Sequence, residues 1–462
     1  MVFETVNPST QKVISTFEET RDLSAILKHL RDGQKEWQKT SIDRRLVCIE
    51  KLYLLLEQEK EKLAEIVTKE TGKPILQAIE EINDAKDRIA YFLNNAIQHL
   101  QDEVLVEDDE FREKIIYEPK GVIGVIAAWS RPYLYAVNVI IPALLSGNAV
   151  MYKPSRFSFL SGLKLQELLY DTGIPENAFK TIIGNGDTAK QILDMPLDAY
   201  FVKASHRTGK KIQHKLAHRI VPCHMELSGK DAVFVSKHIE NLLKAVKQIA
   251  RAVFKNNGQS CNSVARIYVH HAIYDRFIEE FLAQIETYKV GDPQKKDTFL
   301  GPLIHERQIR LLEEHIEDAL EKGAVCYTGG KRIDRDGFYF EPTVLGNANH
   351  DMFIMKDESL GPVIGIQKVA SPHEAIHFMN DTNFGLASSV FSDIKEEADF
   401  VLEQINCGTV YWNCCDRKSP RLSWTGRKNS GTNMGMLHLG IRAFVNPKVY
   451  QFRRSEYIHQ GE

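Results

Sequence analysis

The sequence predicts an α/β protein built from two large domains. The chain has 462 residues, and single hydrophobic cores stop growing at roughly 250 to 300 residues. Short apolar runs alternate with amphipathic helices in two separate stretches, a pattern typical of βαβ units around a parallel sheet. Each of these stretches predicts one α/β domain.

A helical layer is expected before the first sheet, over residues 22 to 100. Apolar residues recur at helical spacing from Leu46 to Leu56. The segment Thr71-Gly72-Lys73-Pro74 favours the end of one helix and the start of the next. This region therefore predicts helices rather than strands.

The first alternating stretch begins near Lys114 and suggests a dinucleotide-binding domain. Its most apolar part, Gly121 to Tyr152, is interrupted by polar residues and prolines before it reaches the roughly 18 apolar residues of a membrane-spanning helix. We interpret that part as buried strand, helix and strand. The strands of this stretch are predicted at Gly121 to Ala128, Ala149 to Tyr152, Thr181 to Ile183 and Tyr200 to Val202.

The second alternating stretch begins near Asp231 and predicts a second α/β domain. Strands are expected at Ala232 to Val235 and Arg266 to Val269, and helices at Ile239 to Lys255, Tyr274 to Ile285 and Glu306 to Glu321. The tail, Pro447 to Arg454, alternates as a strand does. Because it follows the last predicted helix, we expect a lone edge strand, available to pair with another subunit.

Composition favours a cytoplasmic protein that acts on small metabolites. The formal charge is −3, from 59 basic and 62 acidic side chains without long blocks, which argues against nucleic acid or a membrane as partner. No secretory signal is apparent in Met1 to Thr10. Seven cysteines, an odd number, favour reduced thiols over a disulfide framework. Cys414 and Cys415 are adjacent and no metal-ligand spacing occurs, so we expect no metal site.

Three segments carry residues suited to chemistry. Cys261 follows a Gly258 turn on a loop, where a cysteine is available as a nucleophile. Glu226 ends an apolar strand and enters a glycine turn, and Ala204 to Gly209 open a helix whose backbone N–H groups favour phosphate. Each feature alone is weak evidence for a catalytic site, because most lone cysteines are buried hydrophobic residues and most such glutamates are salt-bridge partners.

Taken together and in this order, these segments resemble the aldehyde dehydrogenase superfamily over nearly the whole chain. The chain is closest in style to the succinate-semialdehyde and betaine-aldehyde members of that superfamily. The blocks that carry the resemblance are Glu226-Leu227-Ser228-Gly229-Lys230, Gly258-Gln259-Ser260-Cys261, Lys153-Pro154-Ser155, Glu358-Ser359-Leu360-Gly361-Pro362 and Lys428-Asn429-Ser430-Gly431. The resemblance implies two Rossmann-like α/β domains with a small oligomerisation hairpin and tail.

The resemblance also implies an activity that the residue types support. Cys261 as thiolate would attack an aldehyde, and the oxyanion that results needs hydrogen-bond donors. NAD or NADP would take up the electrons, and Glu226 would activate the water that hydrolyses the thioester. The residues implied to hold the cofactor are Trp129, Lys153, Ser155, Arg156, Gly186, Ala204, Ser205, Gly209, Leu227, Glu358 and Leu360.

Two departures from the family pattern fall at the reacting centre. Where the family has an asparagine that donates to the oxyanion, this chain has Ser130, and losing one such donor typically costs about 10²- to 10³-fold in turnover. The next position, usually aromatic, is Arg131. A cation there suits an aldehyde that carries a carboxylate, such as a semialdehyde, unless Arg131 pairs with a neighbouring acid and leaves the substrate tunnel.

The cofactor side departs as well. Arg156 replaces a glutamate that is usual in NAD-preferring members, and an arginine offers a fork suited to a 2′-phosphate. Ala204 replaces a glycine, and Lys203 and Lys190 add positive charge. These changes point to a more anionic cofactor or a disturbed site, unless they are solvated surface charges.

The expected organisation is a dinucleotide-binding domain over 1–226, with an oligomerisation hairpin at 105–120, and a catalytic domain over 227–430. Residues 431–462 would return to the cofactor domain and add an oligomerisation strand, giving a homodimer or homotetramer. One alternative is a catalytically weakened relative that acts as a binding or structural protein. Another is a thiol hydrolase, which needs a histidine base that the Cys261 loop does not contain.

Overall fold

The chain begins with an antiparallel hairpin that the sequence pattern did not predict. The computed structural model describes residues 1–417, 419–432, 434–435 and 437–453. The hairpin consists of β1 (Val2–Val6) and β2 (Val13–Glu18). Most of its side chains are exposed or half-buried, so its hydrophobic alternation is too weak to stand out in the sequence.

The predicted helical layer is confirmed. It comprises α1 (Leu23–Trp37), α2 (Ile42–Gln58), α3 (Lys60–Thr71) and α4 (Ile75–Leu100). Asp22 and Ser41 cap the first two helices by accepting from backbone N–H groups. The third helix ends at Gly72, whose φ of 74° favours glycine, and the fourth begins after Pro74, as the sequence predicted.

The predicted hairpin after these helices is present and belongs to a three-stranded sheet. Its strands are β3 (Glu103–Glu107) and β4 (Phe111–Pro119), which pair antiparallel. The third strand comes from the carboxyl-terminal tail and is described below.

The first large sheet confirms the first predicted α/β unit. Its strands are β5 (Val122–Ile126), β6 (Ala149–Lys153), β7 (Phe179–Thr181), β8 (Ala199–Lys203) and β9 (Cys223–Glu226). The alternating helices are α5 (Pro132–Leu145), α6 (Phe159–Asp171), α7 (Gly186–Asp194) and α8 (His206–Leu216). The strand predicted at residues 181–183 lies two residues earlier, because Phe179 rather than Ile183 pairs with β6.

The order β7-β6-β5-β8-β9 contains a topological switch point between β5 and β8. The chain runs outward from β5 through β6 to β7, and then from β8 to β9 on the other side. All of these pairings are parallel, so the carboxyl ends of the strands share one edge. In such sheets ligands bind outside the carboxyl ends at the switch point.

The second large sheet confirms the second predicted α/β unit. Its order is β12-β13-β14-β11-β10-β16-β17, and only the β12–β13 pairing is antiparallel within it. The strands of this region are β10 (Asp231–Val235), β11 (Val264–His270), β12 (Val325–Thr328), β13 (Thr343–Gly346), β14 (Val363–Val369), β15 (Phe384–Gly385), β16 (Ala387–Phe391) and β17 (Thr409–Trp412). The helices are α9 (Leu242–Phe254), α10 (Tyr274–Glu286), α11 (Glu306–Glu321), α12 (Phe353–Lys356), α13 (Pro372–Asn380) and α14 (Lys395–Gln404).

Both large sheets are covered by hydrophobic cores on their two faces. On β5, Ile123 and Val125 enter one core while Val122 enters another. On β10, Phe234 and its neighbour Val235 likewise point into different cores. Strands buried on both faces explain the continuous apolar runs in the sequence.

The tail strand is not the lone edge that the sequence predicted. After β18 (Trp424–Thr425), β19 (Arg427–Lys428), β20 (Met434–Gly435) and α15 (Leu437–Arg442), the strand β21 (Val445–Arg453) pairs antiparallel with β4 along its length. The predicted end of this strand, Arg454, lies outside the described residues. Its partner lies far away in sequence, which periodicity alone does not reveal.

Candidate active site

The loop that carries Cys261 is held in a fixed shape by side chains of its own. After α9 the chain turns through Asn256 and Asn257, both with positive φ, and Gly258, where a Cβ would lie 2.1 Å from Gly361 O. The Asn257 side chain donates to Pro302 O at 2.7 Å and accepts from Gly301 N at 3.0 Å. Cys261, the predicted nucleophile, therefore lies after a preorganised turn.

Cys261 lies beside Lys203 and Glu226, and all three are largely enclosed. The Sγ atom of Cys261 is 3.0 Å from Lys203 Nζ and 4.0 Å from Glu226 Oε1. The hydroxyl of Tyr135 approaches the same sulfur at 3.8 Å. Cys261 is 8% exposed, so this sulfur has little contact with solvent. The structure thus brings the predicted nucleophile and base together, with a cation in contact with both.

The pairing of β8 with β9 explains this arrangement. Lys203 and Glu226 end neighbouring parallel strands and are register partners, so their side chains project from the same edge. Lys203 Nζ donates to Glu226 Oε1 at 2.6 Å, and Trp424 Nε1 donates to the same oxygen at 3.1 Å. One cavity is lined in part by Tyr135, Lys203, Glu226 and Trp424, so these groups face space rather than packed core.

The charge of Lys203 is stabilised in this position. Burial opposes the charged form, but the negative charges of Cys261 and Glu226, with Tyr135, outweigh burial and raise the pKa of Lys203 above its ordinary value. The sequence analysis had placed this charge on the cofactor side. The structure places it against Cys261 and Glu226.

Ser130 and Arg131 lie on the loop after β5, at the switch point. The carbonyl oxygen of Ser130 accepts from Lys73 Nζ at 2.8 Å and from Asn256 Nδ2 at 3.4 Å, which ties this loop to that of Cys261. In the described part of the chain, the Ser130 hydroxyl makes no hydrogen bond to Cys261. The loop of the predicted oxyanion donor is therefore tied to the Cys261 loop, but within the described residues the Ser130 hydroxyl is not linked to the sulfur.

Arg131 is buried, and two carboxylates face it. Its guanidinium nitrogens lie 3.6 Å from Asp84 Oδ2 and 3.8 Å from Asp416 Oδ1. Burial opposes its charge, but Asp416, Tyr135 and Asp84 raise the pKa of Arg131 above its ordinary value. Asp416 also accepts from Asn262, the residue that follows the nucleophile. The arginine pairs with neighbouring acids while remaining next to the Cys261 loop.

The residues predicted to hold a nucleotide lie along the carboxyl edge of the first sheet. Lys153 ends β6 and is 5% exposed, and burial lowers its pKa to about 8. Its Nζ donates to Pro154 O at 3.2 Å, and no carboxylate among the described residues forms an ion pair with it. Donor capacity therefore remains for a polar ligand such as a ribose, which fits a dinucleotide.

Arg156 is exposed, and it forms no ion pair with a carboxylate of the described residues. Its guanidinium carbon lies 4.6 Å from the centre of the Phe157 ring. Trp129 meets the same ring edge-on, with centroids 6.5 Å apart. Half-buried Ser155 accepts from Phe157 N at 3.3 Å. These side chains form a small aromatic and cationic group next to Lys153.

The helix that follows β8 begins as the sequence predicted. Ser205 caps α8 by accepting from Thr208 N at 3.3 Å, and half-buried Ala204 precedes it. A Cβ on Gly209 would lie 2.6 Å from the Leu227 side chain, so this glycine permits close packing. Gly186 begins α7 and has open space around it, so packing does not require a glycine there. Nearby, Lys190 pairs with Asp187 at the surface.

Glu358 and Leu360 approach from the second α/β unit. Glu358 is half-buried, accepts from Ser228 Oγ at 2.6 Å, and has its pKa raised by desolvation. Leu360 has a φ of 47°, an uncommon value for a residue with a side chain. The candidate site thus draws residues from both large sheets.

Two further observations concern metals and membranes. Among the described residues, no group of three or more histidine, cysteine or acidic side chains is arranged to hold a metal ion. The helices of the described ranges include none whose length and apolarity would let it cross a membrane.

The comparisons with known proteins agree with this arrangement. A sequence model of the Aldehyde dehydrogenase family matches residues 1–450. A betaine aldehyde dehydrogenase of Bacillus subtilis is 31% identical over 457 residues, covering 96% of this chain and 93% of that protein. A succinate-semialdehyde dehydrogenase [NADP(+)] of Mycobacterium avium is 32% identical over 455 residues, covering 97% and 96%.

Solved structures share the fold over nearly the whole chain. The crystal structure of a point mutant of betaine aldehyde dehydrogenase from Staphylococcus aureus, in complex with NAD+, superposes with a TM-score of 0.94. It is 27% identical, and the match covers 98% of this chain and 94% of that one. The chain therefore belongs to the aldehyde dehydrogenase family and is an NAD(P)-dependent enzyme that oxidises aldehydes.

Proposed function

We propose that Cys261 forms a thioester with the acyl group of its aldehyde and that Glu226 serves as the base for hydrolysis. The observation that carries this proposal is the 4.0 Å separation of Cys261 Sγ and Glu226 Oε1 beside the switch point. A nucleophile and a carboxylate at this distance both reach one carbonyl carbon and its attacking water.

Each side chain has a separate role in the proposed reaction. Cys261 Sγ bonds to the aldehyde carbon, and the carbonyl oxygen takes the electron pair. Ser130 lies on the adjacent loop, and its hydroxyl is the proposed donor to this oxyanion. NAD or NADP, when bound, would supply the oxidant: the C–H bond of the former aldehyde breaks, its hydrogen leaves as hydride to the cofactor, and the oxyanion pair restores the C=O bond of the thioester. Glu226 then takes a proton from the water that cleaves the thioester, releasing a carboxylic acid.

The cofactor is proposed to bind across the carboxyl edge of the first sheet. The ammonium of Lys153, which forms no ion pair with a described carboxylate, and the capped N-terminus of α8 support this placement, since both suit ribose hydroxyls and phosphates. The proposed set is the one that the sequence predicted: Trp129, Lys153, Ser155, Arg156, Gly186, Ala204, Ser205, Gly209, Leu227, Glu358 and Leu360.

Cys261→Ala tests the nucleophile. Aldehyde oxidation is expected to fall below about a hundredth of the wild-type rate, because only the covalent step needs the sulfur, while cofactor binding in a thermal-shift titration persists. Cys407→Ala is the matched control, since Cys407 is a buried cysteine in a core of the second sheet. Substantial oxidation by Cys261→Ala would refute the assignment.

The aldehyde is proposed to carry a carboxylate, recognised by Arg131. Support comes from the buried guanidinium beside the Cys261 loop and from the relative named succinate-semialdehyde dehydrogenase. Asp84 and Asp416 favour instead a cationic aldehyde, as in the relative named betaine aldehyde dehydrogenase. A comparison of kcat/KM for succinate semialdehyde and betaine aldehyde decides between them.

The remaining proposals concern organisation. We place the dinucleotide-binding domain at 1–226, the catalytic domain at 227–430 and the returning segment at 431–462. Exposed apolar side chains on β3 and β21, namely Leu105, Val449 and Phe452, support a role of the three-stranded sheet in a homodimer or homotetramer. Light scattering of wild type and Val449→Lys tests this assembly. The proposed compartment is the cytoplasm, which fits seven free cysteines in the described residues.

A further inference from the structure

Lys203 lies within hydrogen-bond distance of both proposed reacting groups. Its Nζ lies 3.0 Å from Cys261 Sγ, 2.6 Å from Glu226 Oε1 and 3.5 Å from Leu227 O. These three acceptors match the three N–H bonds of an ammonium. The carboxylate is farther from the sulfur than the ammonium is, at 4.0 Å. The cation therefore contacts both the proposed nucleophile and the proposed base.

The position of Lys203 is set by the backbone rather than by a flexible surface contact. It ends β8 in register with Glu226, and its side chain is 10% exposed. The aromatic ring of Tyr135 covers it from α5, with Nζ 5.0 Å from the ring centroid. The charged or titratable groups that act on it are Cys261, Glu226 and Tyr135, with Glu358 at longer range.

A purely structural ion pair accounts for only part of this geometry. An ion pair with Glu226 needs one contact, yet the ammonium also lies within hydrogen-bond distance of the sulfur. A cation at this distance stabilises a thiolate, which is the reactive form of cysteine. Meanwhile the Ser130 hydroxyl, at the position where the resemblance implies an oxyanion donor, makes no hydrogen bond to the sulfur within the described residues.

We propose that Lys203 is a catalytic residue that holds Cys261 as thiolate and then donates a hydrogen bond to the oxyanion. This inference rests on the proposed function, since it assumes that Cys261 is the nucleophile. In the step, the Sγ–C bond forms and the carbonyl π pair moves onto oxygen. That oxygen is bound to the carbon that the sulfur attacks, so an ammonium adjacent to the sulfur reaches it as the charge moves. Lys203 donates without losing its proton.

The same ammonium opposes the second half of the reaction. While Lys203 holds the Glu226 carboxylate at 2.6 Å, that carboxylate is a weaker proton acceptor. Removal of the cation should therefore slow thioester formation but not thioester hydrolysis. A residue that only supported the fold would lower both steps together or neither.

The experiment compares Lys203→Met, Lys203→Gln and Lys203→Arg with wild type, and uses Lys210→Met as a matched control. Lys210 is an exposed lysine on α8 with no contact to the proposed reacting groups. Iodoacetamide alkylation of Cys261 near neutral pH, located by peptide mass spectrometry, reports the thiolate without any turnover. We expect Met and Gln to slow it roughly ten- to a hundred-fold, and Arg to restore much of the rate.

Rapid mixing with aldehyde and NADP gives the second readout. The rate of the initial burst of reduced cofactor is expected to fall in Lys203→Met and Lys203→Gln, while the later steady-state rate falls less or rises. Unfolding curves and cofactor titrations establish which variants are folded. Gln is nearly isosteric and polar, so it retains the contacts of a neutral side chain if Met disturbs the site.

The outcomes separate this inference from the proposed function. Alkylation of Cys261 at the wild-type rate in Lys203→Gln, with an unchanged burst, would overturn the catalytic assignment of Lys203 alone. A wild-type burst in Cys261→Ala would overturn the proposed nucleophile itself. Equal loss of burst and steady-state rates in all three Lys203 variants, including Arg, would show a structural residue and also overturn the inference.

Discussion

The buried ion pair between Lys73 and Glu81 supports the loop that carries Ser130. The two side chains are 3% and 2% exposed. Lys73 also donates to Ser130 O, and Glu81 Oε1 accepts from Tyr133 N at 2.9 Å and Leu134 N at 3.3 Å. Glu81 thus caps the first turn of α5, whose own N-cap residue makes no side-chain cap.

Breaking this pair should be costly, and replacing both partners should be less so. Lys73→Met leaves a buried carboxylate without its cation, and Glu81→Gln leaves a buried ammonium whose pKa burial already lowers. Each single change is expected to cost about 3 to 5 kcal/mol. The double variant Lys73→Met/Glu81→Gln contains neither charge, and its glutamine oxygen still accepts from Tyr133 and Leu134. It should cost less than either single change.

Wild type, the two single variants and the double variant form a double-mutant cycle. Their free energies of unfolding are measured in urea, with tryptophan fluorescence as the readout. The expected interaction energy between the two sites is at least about 2 kcal/mol, well above the roughly 0.3 to 0.5 kcal/mol scatter of independent sites. Lys69→Met, at an exposed lysine of α3, is the control and should change little. Single changes that cost under about 1 kcal/mol, or a double variant equal to the sum of the two, would refute the reasoning.

Three further predictions concern the candidate site. Glu226→Gln should give a burst of reduced cofactor stoichiometric with enzyme and then a slow rate, whereas unchanged steady-state turnover would contradict its role as base. Wild type should bind NADP roughly ten- to a hundred-fold better than NAD, and Arg156→Glu should reverse this preference. Isothermal titration of both cofactors measures it, and equal affinity or an NAD preference in wild type would show that Arg156 turns to solvent. Burial lowers the pKa of Lys153 to about 8, so its cation is present below that pH and lost above it. Affinity for NADP should therefore fall as pH rises through about 8 in wild type but not in Lys153→Met, and parallel curves would refute the contact.

Much of the fold was predictable because its signals are local. The runs at Ala149 to Tyr152 and Ala232 to Val235 are strands buried on both faces, and the helix predicted at Glu306 to Glu321 has those bounds in the structure. The pairing of β21 with β4 was not predictable, since a strand's pattern shows its faces but not its neighbour. The hairpin of β1 and β2 was not predictable, because its strands have no buried face and therefore no clear alternation of apolar residues.

Some residues of the candidate site were likewise predictable from the sequence, and other features were not. Cys261 and Glu226 were found from their motifs, and the structure brings them together. The contacts of Arg131 with Asp84 and Asp416 depend on folding and carry no local signal. Lys203 was noticed only as an added charge. Its place beside Glu226 follows once the strands ending at these two residues are taken as parallel neighbours, a step that the sequence pattern allowed but did not require.

Cys261 and Glu226 lie on opposite sides of the boundary between the two large sheets. Glu226 ends the first sheet, and Cys261 precedes β11 of the second. Ser430 and Gly431 contact the chain next to Glu226 on both sides. Leu227 N donates to Ser430 O at 2.9 Å, and a Cβ on Gly431 would lie 2.1 Å from the carbonyl oxygen of Met225. If the two sheets moved apart by about 1 Å, the distance between Cys261 Sγ and the Glu226 carboxylate would increase while both sheets stayed intact. Activity should then be lost at denaturant concentrations where circular dichroism still reports full secondary structure. Loss of activity would thus report the separation of the two large sheets before the chain unfolds.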